Sequence, residues 1–334
     1  MGSMRRMLLV VSLCFLITSL SLGLTPTTVH AASPNTFHVT LGAANKNNSL
    51  MGMAYYPHAL TVHRGDVLVF TNSLMEPHTV TFRTSGPLDP FAFEAPRNVS
   101  GPGTGVFDNS SILNSGVLFP GGPFGNVFTV TINVGSGTYS FRCALHPLMT
   151  GTVTVVSDDK ALPFTDQQYQ KMAHRAMMED LARARGIRGA SIEAAEDAAD
   201  IGGLGIEVAV GGGDGVATVM RFFPSHLRIH VGDTVTFVNR DPFTPHTVTF
   251  GAEPQGGIPG LVAPANRSLP FSAPTPYNGS FNLNSGFMLS VFPWGNTFSV
   301  TFTTAGTFPY ICGLHDMMGM KGTVTVTSVS DIES

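Results

Sequence analysis

The feature that most restricts how this chain can fold is that it repeats itself. "FHVTLGAANKNNSLMGMAYYPHALTVHRGDVLVFTN" (37–72) aligns with "IEVAVGGGDGVATVMRFFPSHLRIHVGDTVTFVN" (206–239), and "EPHTVTF" (76–82) with "TPHTVTF" (244–250). "LNSGVLFPGGPFGNVFTVTINVGSGTYSFRC" (113–143) aligns with "LNSGFMLSVFPWGNTFSVTFTTAGTFPYIC" (283–312). One folding unit is used twice, and 334 residues are enough for two domains that each bury a core. Within each copy apolar residues alternate: Leu60, Val62, then Val67, Val69; Leu227, Ile229, then Val235, Phe237. The turns "RGD" and "VGD" separate the runs, so each copy reads as short strands in a β-sandwich.

Two segments fall outside the repeat. At the start, Arg5 and Arg6 precede an apolar run from Met7 to Leu24, and "TPTTVHAA" places small residues for cleavage after Ala31. Residues 1–31 read as a secretory signal peptide, with an uncleaved membrane anchor as the alternative. The chain is therefore expected to be exported, to the periplasm, the cell surface or beyond. Loss of Arg5 and Arg6 takes the formal net charge from −4 to −6. With no basic patch interleaved with aromatics, nucleic acid is not an expected partner.

The other segment, 158–203, separates a first domain (33–157) from a second (204–330). Residues 158–200 hold 15 of the 40 charged residues. "TDQQYQKMAHRAMMEDLARARG" starts at a capping Thr165 or Asp166, spaces Tyr169, Met172, Ala176 and Leu181 on one face, and meets a stop at Gly186. The expectation is a linking helix followed by a flexible acidic and Gly-rich run.

The chemistry lies in the residue types the repeat keeps. Each copy offers one thiol, two imidazoles and at least one thioether: His78, Cys143, His146 and Met149 in the first; His246, Cys312, His315 and either Met318 or Met320 in the second. With Cys14 lost in the signal segment, two of the three cysteines remain, and two in an exported chain would ordinarily pair. Here each holds the same place in its own copy, so a bridge would have to join two cores. Two imidazoles and a thiolate with a weak axial thioether suit copper cycling between two oxidation states better than zinc. A His from a strand-end loop and a tight later loop carrying Cys, His and Met can bring these groups together with little motion on electron transfer.

On these residues both halves resemble the cupredoxins, the blue copper proteins. The resemblance implies an all-β chain of two tandem Greek-key sandwiches joined by the helical linker, with one type 1 copper ion in each. "CALHPLM" has the Cys-x-x-His-x-x-Met spacing of amicyanins, which makes Met149 the axial ligand. Met320, two residues before Gly322 as Met149 is two before Gly151, gives the Cys-x-x-His-x-x-x-x-Met spacing of plastocyanins and is preferred to Met318. The amides of Thr79 and Thr247, next to the first His of each set, are expected to support the Cys sulfur.

The resemblance also bears on activity. Multicopper oxidases use His-x-His pairs, and no two of this chain's histidines are two apart. Copper nitrite reductases place a His directly before the Cys, where this chain has Arg142 and Ile311. The expected function is electron transfer with a redox protein as donor or acceptor. A copper oxidoreductase using His226 and His230 across a subunit boundary, and a copper storage protein, are the alternatives; the sequence is compatible with a homo-oligomer. Apolar neighbours of the second His (Leu145, Pro147, Leu148; Leu314, Met317) are expected to form docking patches around exposed imidazoles. Long Gly/Pro/Asn-rich inserts, 84–112 and 251–280, are expected to cover the metal end of each domain or to build an oligomer contact.

Overall fold

In the computed structural model, residues 33–82, 96–146, 148–200 and 206–328 are described. Residues 1–31, read above as a signal peptide, part of the first insert, and Pro147 lie outside them. The alternating runs become strands in both halves. The first half contains β1 (Thr36–Ala44), β2 (Leu50–Tyr56), β3 (Ala59–His63), β4 (Val67–Thr71), β5 (Thr81–Phe82) and β6 (Val99–Gly101). It continues with β7 (Thr104–Phe107), β8 (Leu113–Asn114), β9 (Val127–Ile132), β10 (Gly137–Arg142) and β11 (Thr150–Val156). Helix α1 (Asp166–Asp200) leads to β12 (Ile206–Gly213), β13 (Ala217–Phe223), β14 (His226–His230), β15 (Thr234–Asn239) and β16 (Thr249–Phe250). A short helix α2 (Ile258–Val262) follows, then β17 (Thr275–Tyr277), β18 (Leu283–Asn284), β19 (Thr297–Phe302), β20 (Gly306–Ile311) and β21 (Lys321–Thr327).

Each half is a sandwich. One of its sheets has five strands, β3-β11-β10-β5-β8 in the first half and β14-β21-β20-β16-β18 in the second. The opposing sheets are fused into one of eleven strands, β17-β19-β15-β12-β13-β2-β1-β4-β9-β7-β6. The halves meet where β2 and β13 pair antiparallel, with Gly52 opposite Ala217, Met51 opposite Thr218 and Leu50 opposite Val219. Neither strand is left as an open edge, and Met51 and Met53 reach from the first half into the core of the second.

Strand parity sets the cores. In β4 the inward residues are Leu68 and Phe70, while Val67 and Val69 are half-buried; "VLVF" is apolar on both faces, so the alternation expected at Val67 and Val69 is off by one residue. Leu68 and Phe70 join Phe37, Phe82, Phe128 and Phe141 in the first core. Their counterparts Val235 and Phe237 lie inward in the second core as expected, with Phe250 and Phe298.

Thr165 starts α1: its Oγ1 accepts from the Gln168 amide at 3.4 Å while Gln168 Oε1 accepts from the Thr165 amide at 2.8 Å, a reciprocal capping box. The helix does not stop at Gly186 but runs to Asp200. A helical Gly costs about 1 kcal/mol, and beyond it Ile187, Ile192 and Ala195 pack against the cluster of Leu50, Tyr56, Val219 and Phe223. The buried helix face uses Tyr169, Ala173, Leu181 and Ala184, with Met172 exposed. Tyr56 donates to Asp180 at 2.6 Å and Arg183 pairs with Asp214 at 3.1 Å. The segment read as a linker thus straps the two halves across their joint. Among the described residues no helix is long and apolar enough to cross a membrane.

Candidate metal centres

The tight loop after β10 folds on its own backbone. The Cys143 amide donates to the Met149 carbonyl at 2.9 Å, and the Met149 amide to the His146 carbonyl at 2.9 Å. In the second half the Cys312 amide donates to the Met320 carbonyl at 3.1 Å and the Met320 amide to the His315 carbonyl at 3.1 Å. The two extra residues are taken up in a 3-10 turn at Asp316–Met318 closed by Gly319 at φ 80°. Met318 is buried too, but its carbonyl accepts from Arg221 at 2.7 Å. By backbone register Met320 is the equivalent of Met149. His78 and His246 come from the loops before β5 and β16, fixed by backbone bonds from His78 to Leu118 and from Met288 to the His246 carbonyl.

These loops bring the expected groups together. In the first half Cys143 Sγ lies 3.6 Å from His146 Nδ1 and 4.0 Å from His78 Nδ1, with the two nitrogens 3.2 Å apart. In the second half the same distances are 3.3, 3.8 and 3.0 Å. Both triads are buried, and in each the donor atoms lie within 4.8 Å of one another. Both cysteines are free thiols. The Thr79 and Thr247 amides each donate to the Cys sulfur at 3.3 Å, and the threonine hydroxyls accept from the amides of Ala144 and Gly313 at 2.7 and 2.8 Å.

The first imidazole of each triad is turned by a glycine. Gly42 and Gly211 sit at φ +68° and +67° on irregularities of β1 and β12. A Cβ on Gly42 would come within 2.9 Å of His78 Nε2, and one on Gly211 still closer to His246 Nε2. Only glycine fits both the backbone and the approach. With Nε2 against the strand and no partner there, Nδ1 faces the centre. Two Nδ1 atoms about hydrogen-bond distance apart beside one sulfur cannot all satisfy one another; a soft cation among them can, so the residues fit the copper that the resemblance implies.

The second imidazoles are not exposed. His146 and His315 are 4% and 1% exposed, because the two metal ends face each other across the joint. Between them stands Glu76, buried, with Oε1 3.1 Å from His146 Nε2 and Oε2 3.0 Å from His315 Nε2, the latter a charge contact rather than an aligned hydrogen bond. Burial pulls the Glu76 carboxyl up, but His315 and His146 outweigh it and hold it well below the carboxylate range. Burial likewise opposes ionisation of Cys143 and Cys312, and the adjacent imidazoles overcome it and hold both thiols far below their usual range. Against burial, the thiolate and Glu76 push His146 and His315 up to about 10. A metal ion entering either site would displace the Nδ1 proton.

The expected docking patches are therefore corrected. Leu145 and Leu314 are half-buried and line a cleft of about 240 Å³ between the halves, with Phe119, Leu261, Glu76 and both second imidazoles. Leu261, from the second insert, covers the metal end of its own half, lying where a Cβ on Gly313 would meet it at 2.6 Å. Leu148 and Met317 remain exposed. His226 and His230, invoked for a further site, are exposed.

Reasoning from the sequence passed over Glu76 and the side chains that brace the loops. Asn72 donates at 2.7 Å to the carbonyls of both Glu76 and Leu118, and Asn239 donates to those of Thr244 and Met288. Ser115 and Ser285 each accept at 2.8 Å from the amide just before β5 or β16, those of Val80 and Val248. The repetition of "LNSG" and of Asn72 as Asn239 was the available signal.

A family profile described as copper binding proteins of the plastocyanin/azurin family matches residues 41–156 and again 206–327. A chloroplastic plastocyanin of Pisum sativum is 30% identical over 183 residues, 54% of this chain and 90% of the relative. One from Fritillaria agrestis is 33% identical over 125 residues, 37% of this chain and 60% of the relative. Among solved structures, a Cu(I) amicyanin variant is 27% identical, covers 37% of this chain and 82% of its own, and has a TM-score of 0.23.

Proposed function

Because this chain belongs to the plastocyanin/azurin family of copper binding proteins, with a His/Cys/His site and a nearby methionine in each half, we propose that it is an exported electron-transfer protein. Its ligands are His78, Cys143, His146 and Met149 in one half and His246, Cys312, His315 and Met320 in the other, each set holding one type 1 copper. The observation that carries the reading is the duplicated triad: three buried donors converge twice, each with its sulfur braced by a backbone amide.

Copper supplies one-electron cycling, and the protein holds its donors still while that happens. The loops are closed by backbone bonds between Cys and Met, the first imidazoles are wedged by Gly42 and Gly211, and the second are held by Glu76. Ligands that stay in place between oxidation states keep the reorganisation cost of each transfer low. Export follows the reading of residues 1–31, and a redox protein is the expected partner.

The cleft supports a second reading, a copper oxidoreductase acting on a small molecule, because both second imidazoles and Glu76 line it. Stepwise anaerobic reduction separates the two. A carrier takes up two electrons per chain, one for each triad, and then neither consumes oxygen or nitrite nor turns over a phenol; sustained turnover of any of these supports the oxidoreductase.

A further inference from the structure

Two buried sites in one chain need not communicate, but here a single side chain touches both. Glu76 is 3% exposed, and its main chain is pinned by Asn72. Each imidazole it contacts is a conjugated ring with Nδ1 in a triad and Nε2 on the carboxylate. The route from one triad to the other therefore crosses only two non-bonded gaps, 3.1 and 3.0 Å. The repeat does not require this residue: the equivalent position in the second half is Thr244, also buried, whose short side chain carries no carboxylate.

We propose that the two sites exchange electrons within one chain and that the Glu76 carboxylate is the contact connecting them. The proposal rests on reading both triads as redox sites. In the exchange one electron leaves the site of His78, Cys143 and His146 as one enters the site of His246, Cys312 and His315, or the reverse. Oxidation of one equals reduction of the other, no bond forms or breaks, and the Nε2 protons stay on their rings. The Glu76 carboxylate faces both Nε2 atoms and favours their protons on that side of the rings, which leaves both Nδ1 lone pairs for the metal. A partner that reaches either half then has access to both electrons.

Pulse radiolysis of the copper-loaded full chain tests this, with Met320→Leu as background to separate the two thiolate bands. After a pulse delivering less than one electron per chain, the electron should redistribute between the bands at a rate independent of protein concentration. Glu76→Thr, which installs the side chain found at Thr244, and the more conservative Glu76→Gln should each slow that step about tenfold or more while both bands persist. In the reduced, diamagnetic protein the Nε2 protons of His146 and His315 should exchange slowly with water, and faster in Glu76→Thr. Redistribution that scales with protein concentration, or an unchanged rate in both variants, overturns the proposal. Absence of thiolate bands in the parent protein would instead strike the assignment of the sites.

Discussion

The two halves share a frame and differ in the polar groups set into it. In the first, Tyr55 donates to the Thr79 carbonyl at 2.5 Å behind the triad and packs edge-on to Phe141. In the second the pair is exchanged, with Phe222 against Tyr310, whose buried hydroxyl has no partner. Tyr56 ties the strapping helix down through Asp180, whereas its counterpart Phe223 packs on the helix by apolar contact alone. Glu76 faces both metal centres and Thr244 does not replace it. Core positions tolerate such exchanges because shape and volume are nearly kept. A carboxylate at the joint is different: it is buried, and its two partners come from different halves. Duplication supplied two sites, and an asymmetric residue made their surroundings one environment.

Breaking this comparison at its strongest point removes a ligand from one half. Cys143→Ser should abolish the thiolate band of the first site and leave that of the second, and Cys312→Ser the converse, each read by visible absorption. Loss of both bands from either variant would mean that the halves are not complete sites.

The next largest effect tests the glycines beneath the first imidazoles. Gly211→Ala should weaken copper binding in the second half more than Gly42→Ala does in the first, because the new Cβ comes closer to His246 than to His78. Each should also cost about 1–2 kcal/mol in the metal-free protein from the left-handed backbone alone, measured by denaturant unfolding.

How much of this could be read from the sequence depends on how far apart the partners are in the chain. Cys143, His146 and Met149 share one loop, and the repeat marks His78 at the same offset in both copies, so the triads were legible. Helix α1 was legible at Thr165 but not at its end, since Gly186 reads as a stop until the packing of Ile187 and Ile192 is seen. The pairing of β2 with β13 leaves no mark in either strand. The burial of His146 and His315 followed from that pairing, so spacing within the loops implied exposed imidazoles where the joint covers them.

The axial positions sharpen the comparison further. Met320→Leu should shift the spectrum of the second site and raise its potential, since loss of a thioether donor destabilises the oxidised ion more than the reduced one. Met318→Leu, a swap of similar volume, should leave the spectrum unchanged and cost less than about 1.5 kcal/mol. A spectral shift from Met318→Leu instead would move the ligand by two residues. The smallest effect is expected from Tyr56→Phe, which gives the first half the side chain that the second carries at Phe223. Losing the bond to Asp180 should lower stability by about 1 kcal/mol with no change in colour.

The most direct measurement is the visible and paramagnetic resonance spectrum of copper-loaded protein with the metal counted per chain. Two duplicated triads predict two coppers per chain, both with an intense thiolate charge-transfer band. A protein that binds copper without that band, or holds it in only one half, would contradict the account.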